Sequence, residues 1–177
     1  MRTLKFLFST VIALFTAFLI GGLMIPDEWT VSRSITIHAS TDRIYPFLSN
    51  FKEWEKWSPW NASKDATLKY TYEGPATGIG AKQSWTSEKM GKGWMQFTSA
   101  NPQTGVAYDL YIDMGRSQST LHGNIDLSAD GDSTNVTWTD RGNSEASFIK
   151  RWMSLMIKPM LGKDIDKGLA GLKTIAE

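Results

Sequence analysis

The chain of 177 residues contains no cysteine. That absence excludes disulfides, thiolate zinc sites and a thiol nucleophile, and it leaves the redox compartment unread. Histidine is nearly absent too: His38 and His122 are the only two. They lie far apart in sequence, with no acidic residue at ligand spacing, so no metal site is expected. An excess of either charge is also missing, with 19 Lys plus Arg against 18 Asp plus Glu. Nucleic-acid binding normally shows as a basic footprint, so no nucleic-acid partner is expected. No internal repeat or low-complexity linker stands out. The chain is instead rich in aromatics, 12% of residues, with eight Trp and eight Met. A chain of this length supports one domain with a sizeable core, and rigid rings can line a large apolar volume.

Long apolar runs are also absent, with one exception. Residues 4–25, LKFLFSTVIALFTAFLIGGLMI, carry no charge after Lys5 until Asp27. A run of about 20 apolar residues is long enough to cross a bilayer as a helix. A cleaved signal peptide is the alternative, but its apolar stretch is shorter and ends in a small-x-small site that this segment lacks. Residues 1–28 are therefore read as an uncleaved membrane anchor and 29–177 as the folded domain. Arg2 and Lys5 precede the span, and Asp27 and Glu28 follow it. The positive-inside rule then keeps the N-terminus cytoplasmic and puts the domain outside, in the periplasm if the source is bacterial. Trp29 suits either the membrane interface or the start of a strand.

The rest reads as strand, two short helices, meander and helix. Residues 31–38, VSRSITIH, alternate strictly, with Val31, Arg33, Ile35 and Ile37 on one face. Ser40 or Thr41 caps a short helix over 42–49, in which Pro46 fits the first turn. FKEWEKW at 51–57 has helical spacing, ended by Ser58-Pro59. Six short strands follow at 67–73, 80–87, 93–100, 105–113, 117–128 and 133–141, divided by Gly- and Pro-bearing breaks. Hairpin-sized gaps of this kind predict an antiparallel meander with one apolar face and one wet face. Residues 146–176 form a long helix, with a disturbance near Pro159 and Gly162. A twisted sheet whose apolar face is covered by one long helix leaves a concave space between them, the natural place for a ligand.

Four stretches carry a resemblance: VSRSITIHASTDRIYPFLSNFKEWEKWSPW, YEGPATGIGAKQSW, NVTWTDRG and LGKDIDKGLAGLK. With them the chain resembles the START-like, Bet v 1-like (SRPBCC, polyketide cyclase-type) superfamily, and within it a membrane-anchored bacterial subgroup. The resemblance covers nearly the whole domain after the anchor. It implies an α+β helix-grip fold, a curved antiparallel sheet wrapped around the long C-terminal helix, preceded here by one transmembrane helix. It also implies a cavity for apolar molecules, with enzymes among its members. Fold alone does not fix which.

Catalytic residues are not evident. His38 and His122 fall on wet faces, no Ser sits in a nucleophile elbow, and Gly78-Ile79-Gly80 leads into a strand rather than a helix. No acid–base pair facing inward is recognisable, and no cofactor is expected. The candidate ligand-binding residues are apolar: Trp57, Trp60, Trp85, Met95, Tyr108, Leu110, Trp138, Trp152, Met153 and Met156, with Gln83 as an inward polar group. Each of these also suits plain core packing. The expected function is membrane-anchored binding of a hydrophobic or amphipathic, lipid-like molecule. The alternatives are a cyclase- or hydrolase-like enzyme in the same cavity, or an interaction domain with a filled core.

Overall fold

The computed structural model describes residues 2–115, 117–144 and 147–177. Met1 and Ala146, included in the expected anchor and last helix, lie outside the described residues. The chain begins with α1 (Arg2–Met24), then β1 (Glu28–Ile37), α2 (Thr41–Leu48) and α3 (Phe51–Trp57). The meander follows as β2 (Lys69–Glu73), β3 (Lys82–Ser87), β4 (Gly91–Asn101), β5 (Gly105–Asp113), β6 (Gln118–Asp130) and β7 (Ser133–Asn143). The 29-residue α4 (Phe148–Ala176) ends the chain. All seven strands join one antiparallel sheet in the order β1-β7-β6-β5-β4-β3-β2, so β1 returns to pair with the last strand. This is the expected α+β helix-grip architecture.

Alternation decides which residues point at the helices. Trp29, Val31 and Ile37 of β1 are buried while Ser32, Ser34 and Thr36 face water, where they bond Thr139, Thr137 and Asn135 of β7. Trp29 is thus a strand residue whose ring lies flat across Gly142 of the neighbouring strand. On the outer face of the meander, Asp109 meets His122 at 2.6 Å.

Pro46 falls in the second turn of α2 rather than the first. It forgoes one helical N–H bond. Burial of Ile44 and Leu48 to 0% exposure holds that turn against the core instead. Helix α3 is capped by Asn50, whose side chain accepts from the Lys52 N–H at 3.0 Å. It stops at Ser58, where Pro59 disfavours further helix. Gly78 and Gly80, at φ of 76° and 85°, shape the turn into β3.

The inner face of the sheet can be followed in rows across the strands. The deepest rows carry Trp138, Ile125 and Val106, then Val31, Asp140, Gly123, Tyr108 and Phe97. Helix α3 and the C-terminal half of α4 cover them. Gly168 lies under the Trp138 ring, and Ile165, Leu169 and Leu172 are fully buried. Farther along the strands come Trp29, Leu121, Leu110, Met95 and Gln83, then Ile112, Trp85 and Tyr70. Here the cover thins, and Leu110, Met95, Ile112 and Trp85 are only half-buried.

Helix α1 carries an apolar segment, Lys5–Met24, long enough to cross a membrane, and 6% of it is buried in the protein. A signal sequence satisfies the same length and composition. Only Ile25, Pro26 and Asp27 separate α1 from β1. The two helices at this end are tied together. The Arg151 guanidinium of α4 donates from both Nε and Nη2 to the Asp27 carboxylate at 2.7 Å, and Phe18 stacks on Trp152 with ring centroids 5.1 Å apart. Gly21 and Gly22 let the Trp152 and Phe148 rings lie against the α1 backbone.

Candidate functional site

The eleven candidate ligand-binding residues fall into three groups. Trp57, Tyr108 and Trp138 are buried at 3%, 2% and 1% exposure, joined by the half-buried Trp60. Their rings meet edge to face around Trp54, with centroids of Trp54 and Trp138 5.7 Å apart and of Trp60 and Trp138 5.8 Å apart. Such pairs add stability beyond their buried area. Trp54 and Trp57 donate their indole N–H groups to the carbonyls of Leu48 and Phe47, which binds α3 to the end of α2. The deep end of the grip is thus a filled core.

The second group is Gln83, Trp85, Met95 and Leu110, on adjacent strands β3, β4 and β5. Gln83 is buried near the Tyr70 phenol, which donates to the Trp60 carbonyl at 2.6 Å. Burial, then the Glu55 charge, pushes the Tyr70 phenol up to about 12, so it stays a neutral donor. Trp85 lies across Gly93 of β4. With Ile112 these side chains form an apolar trough along the inner face, half open to solvent.

The third group is on α4. Trp152 packs against α1, with its Nε1 buried and lacking an acceptor among the described residues. Met153 and Met156 face outward at 45% and 70% exposure. Met153 and Ile157 also border a small depression of about 50 Å³ with Trp29, Ser119 and Leu121. A second depression of about 210 Å³ lies between α3 and the β2–β3 turn, lined by Phe51, Lys52, Tyr72, Pro75 and Ala81 among others. Both are smaller than the roughly 300–1,000 Å³ of most small-molecule pockets.

Sequence reasoning missed Asp140. The expectation that no acid–base pair faces inward is corrected here. The Tyr108 hydroxyl donates to the Asp140 carboxylate at 2.6 Å and accepts from the Trp138 indole N–H at 2.7 Å. Burial pushes the Asp140 carboxyl up to about 6, against the opposing effect of those donors, and it drives the Tyr108 hydroxyl well above its ordinary value. The two-residue period does put Asp140 on the face of Trp138. Its partner lies 32 residues away and reaches it only by crossing Gly123, which no local pattern shows. At 2% and 3% exposure beneath Trp54, the pair is sealed from any substrate. Among the described residues no cluster of His, Asp and Glu is arranged to hold a metal.

Comparison with known proteins bears on this geometry. Residues 28–177 match the family model described as polyketide cyclase / dehydrase and lipid transport. The chain belongs to that family. No curated protein matches it. Among solved structures, a hypothetical protein of Helicobacter pylori aligns with a TM-score of 0.64 at 9% identity, covering 86% of this chain and 89% of its own. A Rhizobium loti protein aligns with a TM-score of 0.60 at 14% identity, covering 81% and 96%. The Aha1 dimer from Colwellia psychrerythraea gives 0.57 at 19% identity, covering 84% and 96%. At these identities the likeness is one of fold. The family's fold is suited to hydrophobic ligands.

Proposed function

We propose that the protein is a membrane-anchored binder of a hydrophobic or amphipathic small molecule, lipid-like in character, held in the trough along β3–β5 beside the first half of α4. The observation that carries this reading is the contrast along the sheet. The deep rows are closed by the Trp54 cluster, while Trp85, Met95, Leu110 and Ile112 on the same face remain half-open. An elongated apolar molecule laid there removes that surface from water, which supplies affinity. Gln83, Tyr70 and the Trp60 backbone supply the polar end of the trough. The anchor, residues 1–28, keeps the binding domain, residues 29–177, at a bilayer, where such molecules reside. The domain lies on the side opposite the basic N-terminus, with Arg2 and Lys5 cytoplasmic. The sealed Tyr108–Asp140 pair favours binding over catalysis, because a general acid or base must reach the reacting atom.

The test is direct. The full chain is purified in detergent from several expression hosts, and bound species are extracted and identified by mass spectrometry. An apolar or amphipathic molecule at near-stoichiometric amount supports the reading. A chain free of any such species from every host overturns it.

A further inference from the structure

The first half of α4, residues 148–163, reads FIKRWMSLMIKPMLGK, and helical spacing gathers Lys150, Arg151, Ser154 and Lys158 on one side of it. One side packs inward, where Ser154 is 1% exposed and Gly162 fits against Arg33. The opposite side is not the hydrophilic surface of an ordinary covering helix. Ile149, Met153, Met156 and Met160, spaced by four, three and four, form a single outward stripe at 68%, 45%, 70% and 67% exposure. The stripe ends abruptly. The next outward positions on the same line, Lys163 and Lys167, are charged. Contiguous exposed apolar surface of this kind marks an interaction site.

The position of the stripe identifies its occupant. Helix α1 is clamped to the same half of α4 by the Arg151–Asp27 pair, the Phe18–Trp152 stack and the edge-on Phe18–Phe148 contact. Phe18 lies six residues before the end of α1. At 1.5 Å per residue that is roughly 9 Å inside the end of the apolar span. A helix fastened at that depth carries its own outward face to the same level. The charge agrees: residues 148–163 hold no acidic residue, and with Arg151 taken up by Asp27 and Lys150 by the Gln118 carbonyl, Lys163 beside the stripe is the cation placed to meet anionic headgroups.

We propose that the first half of α4 lies in the membrane interface beside α1, with Ile149, Met153, Met156 and Met160 inserted at the boundary of headgroups and acyl chains. This rests on the reading of α1 as a span. The same segment borders the sheet, since Ile157, off the stripe, lines a depression with Leu121 and Trp29 that Met153 meets only at its rim. One helix therefore has lipid on one side and the depression beside Leu121 on another.

The absence of native cysteine makes the test clean, because each introduced thiol is unique. Single variants Met156→Cys, Met160→Cys and Lys167→Cys on α4, and Ala13→Cys in α1, are labelled with an environment-sensitive fluorophore. The full chain is reconstituted into phosphatidylethanolamine–phosphatidylglycerol vesicles with and without spin-labelled lipid. All four positions are exposed, so the substitutions leave the packing intact, and thermal melts verify this. The expected result is strong lipid quenching at 13, 156 and 160, several-fold above that at 167. Quenching at 13 with the probes at 156 and 160 no better quenched than at 167 overturns the proposal and leaves the anchor standing. Absence of quenching at 13 overturns both. Quenching at 156 by a spin-labelled second copy of the chain, and not by lipid, assigns the stripe to self-association and also overturns it.

Discussion

Tyr108 reaches Asp140 by passing over a glycine. The two residues stand on β5 and β7, with β6 between them, and their side chains meet at 2.6 Å because position 123 of β6 has no side chain. The bond ties three strands together at the centre of the core. It places a carboxyl pushed up to about 6 where water does not reach.

The sign of the resulting pH dependence follows from linkage. The Asp140 carboxyl titrates near 6 in the folded protein against an ordinary value of 3.8. Between those limits the folded state keeps a proton that the unfolded state has shed. Its contribution is therefore fully present below about pH 4, is lost as pH rises towards 6, and is level above that. About two pH units at about 1.4 kcal/mol each gives a loss of about 3 kcal/mol. Asp65 and Glu177, held below their ordinary values chiefly by hydrogen bonds from Ser87 and from the His38 N–H, act in the opposite sense and at lower pH. Comparison with Asp140→Asn separates the effects. Chemical denaturation at about pH 4 and about pH 7 is expected to show the native chain losing stability relative to the variant as pH rises. Parallel behaviour of the two proteins counts against the assignment.

A side chain at position 123 has no room. A Cβ there would lie 2.1–2.3 Å from the Tyr108 ring and hydroxyl. Gly123→Ala is expected to destabilise by about 3 kcal/mol, the upper end for overpacking, because backbone and a locked ring both have to move. Trimming the ring should relieve the clash, so Gly123→Ala combined with Tyr108→Leu is expected to be less destabilising than the sum of the two. A double-mutant cycle in urea measures this, and strict additivity argues against ring contact at 123.

Sequence pattern went far on the fold and less far on the site, for definable reasons. Strand residues 105–113 coincide with β5, and the expected 133–141 lies within Ser133–Asn143, because turn residues mark the ends and alternation marks the faces. What period cannot show is a relation across strands. Local pattern does not single out Asp140, because its donor depends on Gly123, 15 residues from Tyr108 in one direction and 17 from Asp140 in the other. Period also falls short in the first half of α4, where apolar residues spread over more than one side. Spacing groups Trp152, Met156 and Met160 of α4, but both faces satisfy the pattern, and only the contacts show that Met156 and Met160 turn outward. The tryptophans of FKEWEKWSPW raise the same difficulty. Trp57 is locked against Trp138 while Trp60, three residues on, stays half-buried, and the difference arises from the stop at Ser58.

The clamp between α1 and α4 should be measurable as a coupling. The Arg151–Asp27 pair is two-pronged and partly shielded, with side-chain exposures of 16% and 34%. Asp27→Ala and Arg151→Ala, alone and together in detergent, are expected to give a favourable coupling, because the geometry is bidentate. A coupling near zero would mean that the two helices are held by the ring packing of Phe148 and Trp152 against Phe18, Gly21 and Gly22.

Leu110 offers the cleanest probe of the trough. It is half-buried between Met95 and Leu121 in the cross-strand rows, so a polar replacement loses little packing. Leu110→Gln is expected to lower thermal stability by only a few degrees while reducing the amount of co-purifying apolar ligand several-fold, as read by mass spectrometry. Tyr111→Gln on the opposite face of β5 serves as the control and should leave ligand content unchanged. Equal ligand loss in both variants would detach the trough from binding.

The three residues between Met24 and Glu28 also set how far the domain can travel. At about 3.5 Å per residue, Ile25, Pro26 and Asp27 span roughly 10 Å even when fully extended, and the Arg151 clamp removes most of that slack. With α1 in a bilayer, the domain has no tether on which to swing its cargo towards a distant acceptor. On the proposed reading, a partner that hands over or receives a ligand meets the domain close to the membrane surface.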